Sequence, residues 1–525
     1  MSAHVQPSRS GELRAALRAE WTKFRTVRGW MIGSVFAALM VVLFTFLQAN
    51  GKHTGYCTTP NPNSCVAGHQ YVPTGPSGEA VADTYELVAK RLTGDGTITA
   101  RITSLAGRVW AGPANEAPSL ADTRPGLTRW AKAGLLITPS TSQGSSYAAV
   151  MATGGHGVRF QYDYTHDQAG LPGPISGAAA RWLRLTRAGD TITGYDSSDG
   201  TNWHSVGSAQ LAGLPTTVQV GLFATSPTTS EGSATQATAS FDHIAIGSGA
   251  DGAAHAAPGV WHGASIGTGP RDYYTTLGSN GYRQARDSIV VTGSGDISPA
   301  VASAGGDTAS DSMLFGLVVA LIVLIVIGTM FITSEYRRGL IRTTFAATPD
   351  RGHVLAAKAI VVGGIAFAVG AVASAVAIPL GEHVMNANGN YIFPADSLTV
   401  AQVIVGSGAL VALTSVAVLG IGTILRRSAS AILAGVLVFV LPTFTGPGII
   451  GPTSSSSAAT WLYRVTPAAG FSLLGILPRS GLVSYPYTMA NGYYPLPPWA
   501  GLLVLGAYAA VALLAARVVL RRRDA

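Results

Sequence analysis

Six apolar stretches constrain this chain more than anything else in it. They cover residues 30–48, 313–332, 359–380, 401–425, 429–445 and 499–520, each near the roughly 20 residues that cross a bilayer as a helix. In lipid every backbone N–H and C=O must be bonded within the protein, so such stretches become helices. The sequence therefore predicts a membrane all-α six-helix bundle. The fifth stretch is the weakest, because Pro442 and the following TFTGPG shorten it. The first is longer than a secretory h-region and follows a 29-residue leader, so it reads as an uncleaved anchor. No Asp, Glu, Lys, Arg or His lies in the middle of any stretch; Lys358 and Arg517 lie near ends, where they can snorkel. Ion-driven pumps place ionisable groups along their path, so the driving force is expected from outside the bundle. Composition agrees: 11% of the 525 residues are charged, against roughly 25% in soluble proteins.

Basic residues set the orientation. Arg14, Arg18, Lys23, Arg25 and Arg28 precede the first stretch, and Arg337, Arg338, Arg342, Arg351 and Lys358 lie between the second and third. Arg426 and Arg427 separate the fourth from the fifth, and Arg521, Arg522 and Arg523 follow the sixth, whereas residues 381–397 contain no Lys or Arg. Residues 1–29, 333–358 and the tail 521–525 are thus expected in the cytoplasm of a multi-pass plasma-membrane protein, with 49–312 and 446–498 outside. The net charge of +8 is segregated by side: residues 49–312 hold 15 Lys and Arg against 19 Asp and Glu. A nucleic-acid partner is not expected.

In the leader, Leu13, Leu17, Trp21 and Phe24 recur at helical spacing among basic residues. This predicts an interfacial helix on the inner leaflet, or a helix serving only as a topology signal. Cys57 and Cys65 lie in the lead-in 49–82. Two thiols cannot complete a Cys-rich zinc site, and on an oxidising side they read as a disulfide, with two unpaired thiols as the alternative.

Residues 49–312 are too long for a loop. TITARI (97–102), GVRFQY (157–162), WLRLTR (182–187) and TVQVGLF (217–223) alternate as strands, separated by turn clusters such as SSDG. A large extracytoplasmic all-β sandwich, jelly-roll-like, is expected over 83–247, inserted between spans 1 and 2. Residues 248–312 read as a Gly/Ala/Ser-rich segment and linker. The GYxSxDGxxW pattern at Gly194 to Trp203, with WAKAGLLI and FDHIAI, resembles the concanavalin-like lectin/glucanase sandwiches. That resemblance implies contact with a surface glycan, with Trp130, Tyr162, Trp182, Tyr195 and Trp203 as candidate stacking aromatics; rings on strands also serve as core. A glycosidase of this fold needs two carboxylates flanking the bond, whereas Asp196 and Asp199 are expected in a turn, without hydrolytic or calcium chemistry. No metal site is expected.

The leader EWTKFRT and the segment EYRRGLIRTTFAATPDR resemble the permease subunits of ABC-2 type transporters, particularly actinobacterial ones, which read EWTK[LF]RT and E[YF]xxGxIRTTxAxxPxR. The matching residues are Glu20, Trp21, Thr22, Lys23, Arg25 and Thr26, then Glu335, Tyr336, Gly339, Ile341, Arg342, Thr343, Thr344, Ala346, Pro349 and Arg351, with Asp350 where a basic residue is frequent. The resemblance implies a coupling helix in 333–358 that docks on a separate ATP-binding subunit, with Arg337 and Arg338 adding charge to it. It also implies export and a dimer, with itself or a related permease. No GxxxxGK[ST] occurs, so the chain is not expected to be an enzyme or to bind a cofactor, and ATP and Mg would sit on the partner. The alternative function is a membrane-anchored glycan-binding or sensory protein without transport. A third reading is a machine that passes mechanical force to the outside domain.

Overall fold

The computed structural model describes residues 9–53, 55–57, 65–69, 71–112, 118–173, 179–229, 232–248, 260–268, 277–278, 280–300, 306–307, 309–337, 339–347, 350–444, 457–477, 480–483 and 493–522. Two compact units divide the chain: residues 1–53, 307–479 and 487–525 form one, residues 54–306 and 480–486 the other.

The first unit is helical: α1 (Arg9–Thr26), α2 (Arg28–Gly51), α3 (Ala309–Arg337), α4 (Leu340–Ala347), α5 (Arg351–Ala387), α6 (Ser397–Leu425), α7 (Ser428–Phe439), α8 (Leu441–Phe444), α9 (Ser457–Val465) and α10 (Pro498–Arg522). Five of these are long and apolar enough to cross a membrane, over Arg28–Gly51, Phe315–Arg337, Arg351–Ala387, Ser397–Leu425 and Pro498–Arg522. The expected fifth span is the shorter apolar segment Ser428–Phe444, divided into α7 and α8 next to Pro442. The helices pack through small residues. A Cβ on Gly370 of α5 would lie 2.8 Å from the Ser407 carbonyl of α6, and one on Gly408 2.9 Å from the Phe367 carbonyl, so α5 and α6 approach backbone to backbone as close-packed membrane helices do. Thr414, Ser415 and Thr423 return their hydroxyls to carbonyls four residues earlier, satisfying them inside the apolar face.

Part of 446–498, expected as an outside loop, is built into this unit. The 3-10 segment Pro467–Leu474 is buried along its whole length. Gly501 of α10 lies against it, with room for no Cβ beside the Ala469 carbonyl.

The second unit is a β-sandwich. Its seven-stranded sheet runs His166–Ala169, Val158–Tyr162, Ala148–Thr153, Lys132–Thr138, Thr217–Thr225, Tyr85–Thr93 and His262–Ile266. The second sheet runs His204–Gln210, Thr191–Ser197, Arg181–Ala188, Gly96–Trp110, Thr235–Ser248, Ser288–Gly293 and Gly281–Gln284, with Thr123–Pro125 also on Gly96–Trp110. Alternation explains the layers: Leu183 and Leu185 join the core between the sheets, while Trp182, Arg184 and Thr186 face the other way. The sandwich outruns the expected 83–247. Gly281–Gln284 and Ser288–Gly293 form a hairpin on one sheet, His262–Ile266 edges the other, and Ile297–Pro299 pairs with Val81–Asp83. Residues assigned to a linker are therefore core: Asp296, Ile297 and Ser298 are buried. Short strands Gly55–Cys57 and Cys65–Ala67 place Cys57 and Cys65 opposite one another, the register a disulfide between them would need.

Candidate functional site

Four charged side chains meet where α1, α3 and α5 come together. Lys358 Nζ donates to Glu20 Oε2 and Glu335 Oε1, both at 2.7 Å. Lys23 Nζ donates to Glu20 Oε1 at 2.9 Å and Glu335 Oε1 at 3.0 Å. Lys358 is 0% exposed, Glu20 2% and Glu335 6%. Two lysines balance two glutamates, the condition under which charges persist away from water. The third Lys358 N–H faces aromatic carbon, with Nζ 4.8 Å from the Phe331 ring centre, and Phe331 packs with Phe24 and Trp30.

This corrects one expectation. Lys358 does not snorkel; it is drawn inward by two carboxylates. The inner face of α1 is Ala16, Glu20 and Phe24, while Trp21 is 49% exposed: the buried stripe centres on an acid because Lys358 answers it. Burial alone would lower the Lys23 ammonium, but its bonds to Glu20 and Glu335 outweigh that and hold it above its ordinary range. The contribution is complete below the ordinary lysine range and is lost only as alkali passes the raised value.

The expected coupling residues are dispersed around this cluster. Glu335 is inside it, not on the surface. Tyr336 is half-buried under the Arg426 guanidinium, 5.1 Å from its ring. Gly339, at φ +69, supplies the left-handed turn that ends α3 and lets α4 start in a new direction. On α4, Ile341 is buried, Arg342 and Thr343 are exposed, and Thr343 and Thr344 donate to the Leu340 carbonyl. Arg351 donates to the Leu520 carbonyl at 2.6 Å, capping the end of α10. Asp350 caps α5 by accepting from the Gly352 N–H at 2.8 Å, a task a basic residue could not perform. Arg25 and Arg337 are exposed; Arg338 and Pro349 lie outside the described residues.

In the sandwich the candidate aromatics do not form one open platform. Trp130 is buried, stacked on His156 at 4.1 Å, and Tyr162 stacks on His166 at 4.2 Å. Trp182, Trp203 and Tyr195 share the outer face of the second sheet, but arginines engage the tryptophans: Arg184 lies 3.8 Å over Trp203 and Arg101 5.7 Å over Trp182. Asp199 sits in the expected turn, accepting from the Thr201 and Asn202 N–H groups. Asp196 does not; it is a buried strand residue that accepts from the Leu171 N–H.

Three buried ionisable groups here, Lys132, Asp296 and Asp83, give little local sign of their burial in the sequence. Lys132 donates to Asp296 at 2.8 Å with both side chains out of solvent; a lone Lys opening the apolar run KAGLLIT was the available signal. Desolvation pushes the buried Asp83 carboxyl up to about 7, against the opposing Gly144 N–H bond. Its folded value exceeds the ordinary 3.8, so the stability it confers is complete below that ordinary value and is lost as pH rises through about 7. Hydrogen exchange in Tyr85–Thr93 is therefore expected to show a less stable sandwich at about pH 8 than at about pH 5, with the difference largely removed in Asp83→Asn. An unchanged slope in that variant would contradict the assignment.

No family model matches the sequence, and no curated protein matches it. Solved structures similar to part of the chain include a scytalido-glutamic peptidase with a transition state analog inhibitor, at 10% identity and TM-score 0.23, covering 40% of this chain and 98% of that one. A functionally unknown protein from Saccharomyces cerevisiae is similar at 15% identity and TM-score 0.20, covering 40% and 99%. Likenesses at these scores assign this chain neither a fold nor an activity.

Proposed function

We propose that this chain is the permease subunit of an export-type ABC-2 transporter, energised by a separate ATP-binding subunit that holds ATP and Mg. In this reading two permease subunits, identical or related, form the path, both termini are cytoplasmic, and the sandwich is a lectin-like domain outside. The supporting observation is α4: a short helix with Leu340, Arg342 and Thr343 exposed, set off by Gly339 from a helix end that the Glu20, Lys23, Glu335 and Lys358 cluster ties to α1 and α5. A partner pressing on α4 would act at a helix that begins five residues after Glu335, at the junction of three helices. Bonds from both lysines to Glu335 resist lateral slip, so displacement at α4 would pass into α3 and α5 instead of being absorbed locally.

Glu335 then transmits and Arg342 contacts. A photo-crosslinking amino acid at position 342 should join the chain to a protein carrying a P-loop. Adducts to lipid or to this chain alone would overturn the docking assignment.

A further inference from the structure

A groove of about 750 Å³ runs along the bundle between α1 and α2 on one side and α3 and α4 on the other. Its two ends differ in chemistry. Trp30, Gly33, Phe36, Ile322, Val326 and Met330 line one end; Lys23, Ser334, Glu335, Arg337 and Thr343 are at the other, Glu335 being neutralised within the cluster. From Ile322 to Arg337 the α3 wall rises about 22 Å at 1.5 Å per residue, which is one leaflet of a roughly 30 Å hydrocarbon core plus its headgroup layer. Charge separates the ends further. The four-residue cluster is balanced, and Arg337 makes no ion pair among the described residues, so the polar mouth carries a surplus positive charge. Lys23 spends two N–H groups on carboxylates and has a third for a ligand.

We propose that this groove holds one anionic phospholipid, its phosphate between Arg337 and Lys23 and an acyl chain along Trp30, Gly33 and Met330. A free anion would leave the apolar end unfilled, and an uncharged membrane helix of a second copy would leave Arg337 unanswered; a phospholipid matches both ends. The inference needs only that the bundle lies in lipid, so it stands or falls separately from the transport reading.

The full chain, purified in mild detergent, would be offered phosphatidylglycerol or phosphatidylcholine with the same acyl chains, or inorganic phosphate, and examined by native mass spectrometry. One phosphatidylglycerol per chain should be retained in preference to phosphatidylcholine, and Arg337→Glu should weaken retention about tenfold. Arg337 is exposed, so that variant should fold as the native chain does; Gly33→Trp, which fills the apolar end, should also reduce retention. Equal retention of the two lipids, retention indifferent to Arg337→Glu, binding of phosphate alone, or a second copy of the chain in place of lipid would each overturn the proposal.

Discussion

Replacing Lys358 by methionine is expected to destabilise the helical unit by about 3–5 kcal/mol, the cost of leaving a buried charge uncompensated. Methionine preserves most of the volume and can still pack on Phe331, so the loss would be electrostatic. With Lys358 gone, Glu20 and Glu335 share only Lys23, itself 38% exposed at the side chain, and one carboxylate is left in excess. Rescue separates an electrostatic loss from a packing loss. Glu20→Gln in the same chain removes the excess charge, and the double variant should recover more than half of the lost thermal stability in detergent. A single variant as stable as the native chain would show that the lysine is not bound as described. If the double variant refolds but loses function in cells, the cluster transmits force as well as holding helices together.

The second large effect is expected in the sandwich. Lys132→Met should cost about 3 kcal/mol. Asp296 would keep two donors, the Ile297 N–H at 2.8 Å and the Ser298 hydroxyl at 2.9 Å, so the loss falls at the lower end of the range. Asp296→Asn is the harsher change, since it leaves the buried ammonium without a counter-charge, facing only neutral groups such as the Ile297 carbonyl and the Trp130 ring. Hydrogen exchange in Lys132–Thr138 should rise in both variants, more in Asp296→Asn. The reverse order would mean that Asp296 depends on the lysine more than its backbone and hydroxyl donors suggest.

What could be read from the sequence follows from the range of the interactions involved. Strands such as Arg181–Ala188 announce themselves because Leu183 and Leu185 alternate with polar neighbours within a few residues. The long helices announce themselves by continuous apolarity. The four-charge cluster could not be read that way: Lys358 meets Glu20 across 338 positions, and by local periodicity each charge belongs on a surface. Three of its members, Glu20, Lys23 and Glu335, stand out by motif, yet as groups facing a partner or a membrane; it is Lys358, distant in sequence, that accounts for their burial. The same reason hides Asp296, a turn-like residue in a Gly- and Ser-rich stretch until Lys132 is placed against it. His262–Ile266 escaped because HGASI is too short and too small to show alternation, although it completes a sheet edge.

Under the proposed function a separate ATPase drives this chain through α4. Purifying the tagged full chain from its own membrane in mild detergent, and measuring which proteins accompany it and in what ratio, tests this. A P-loop ATPase is expected at one copy per chain, lost when Arg342 is changed to Glu although the helical unit keeps its thermal stability. Purification of the chain without any ATPase, even after crosslinking through position 342, would contradict it.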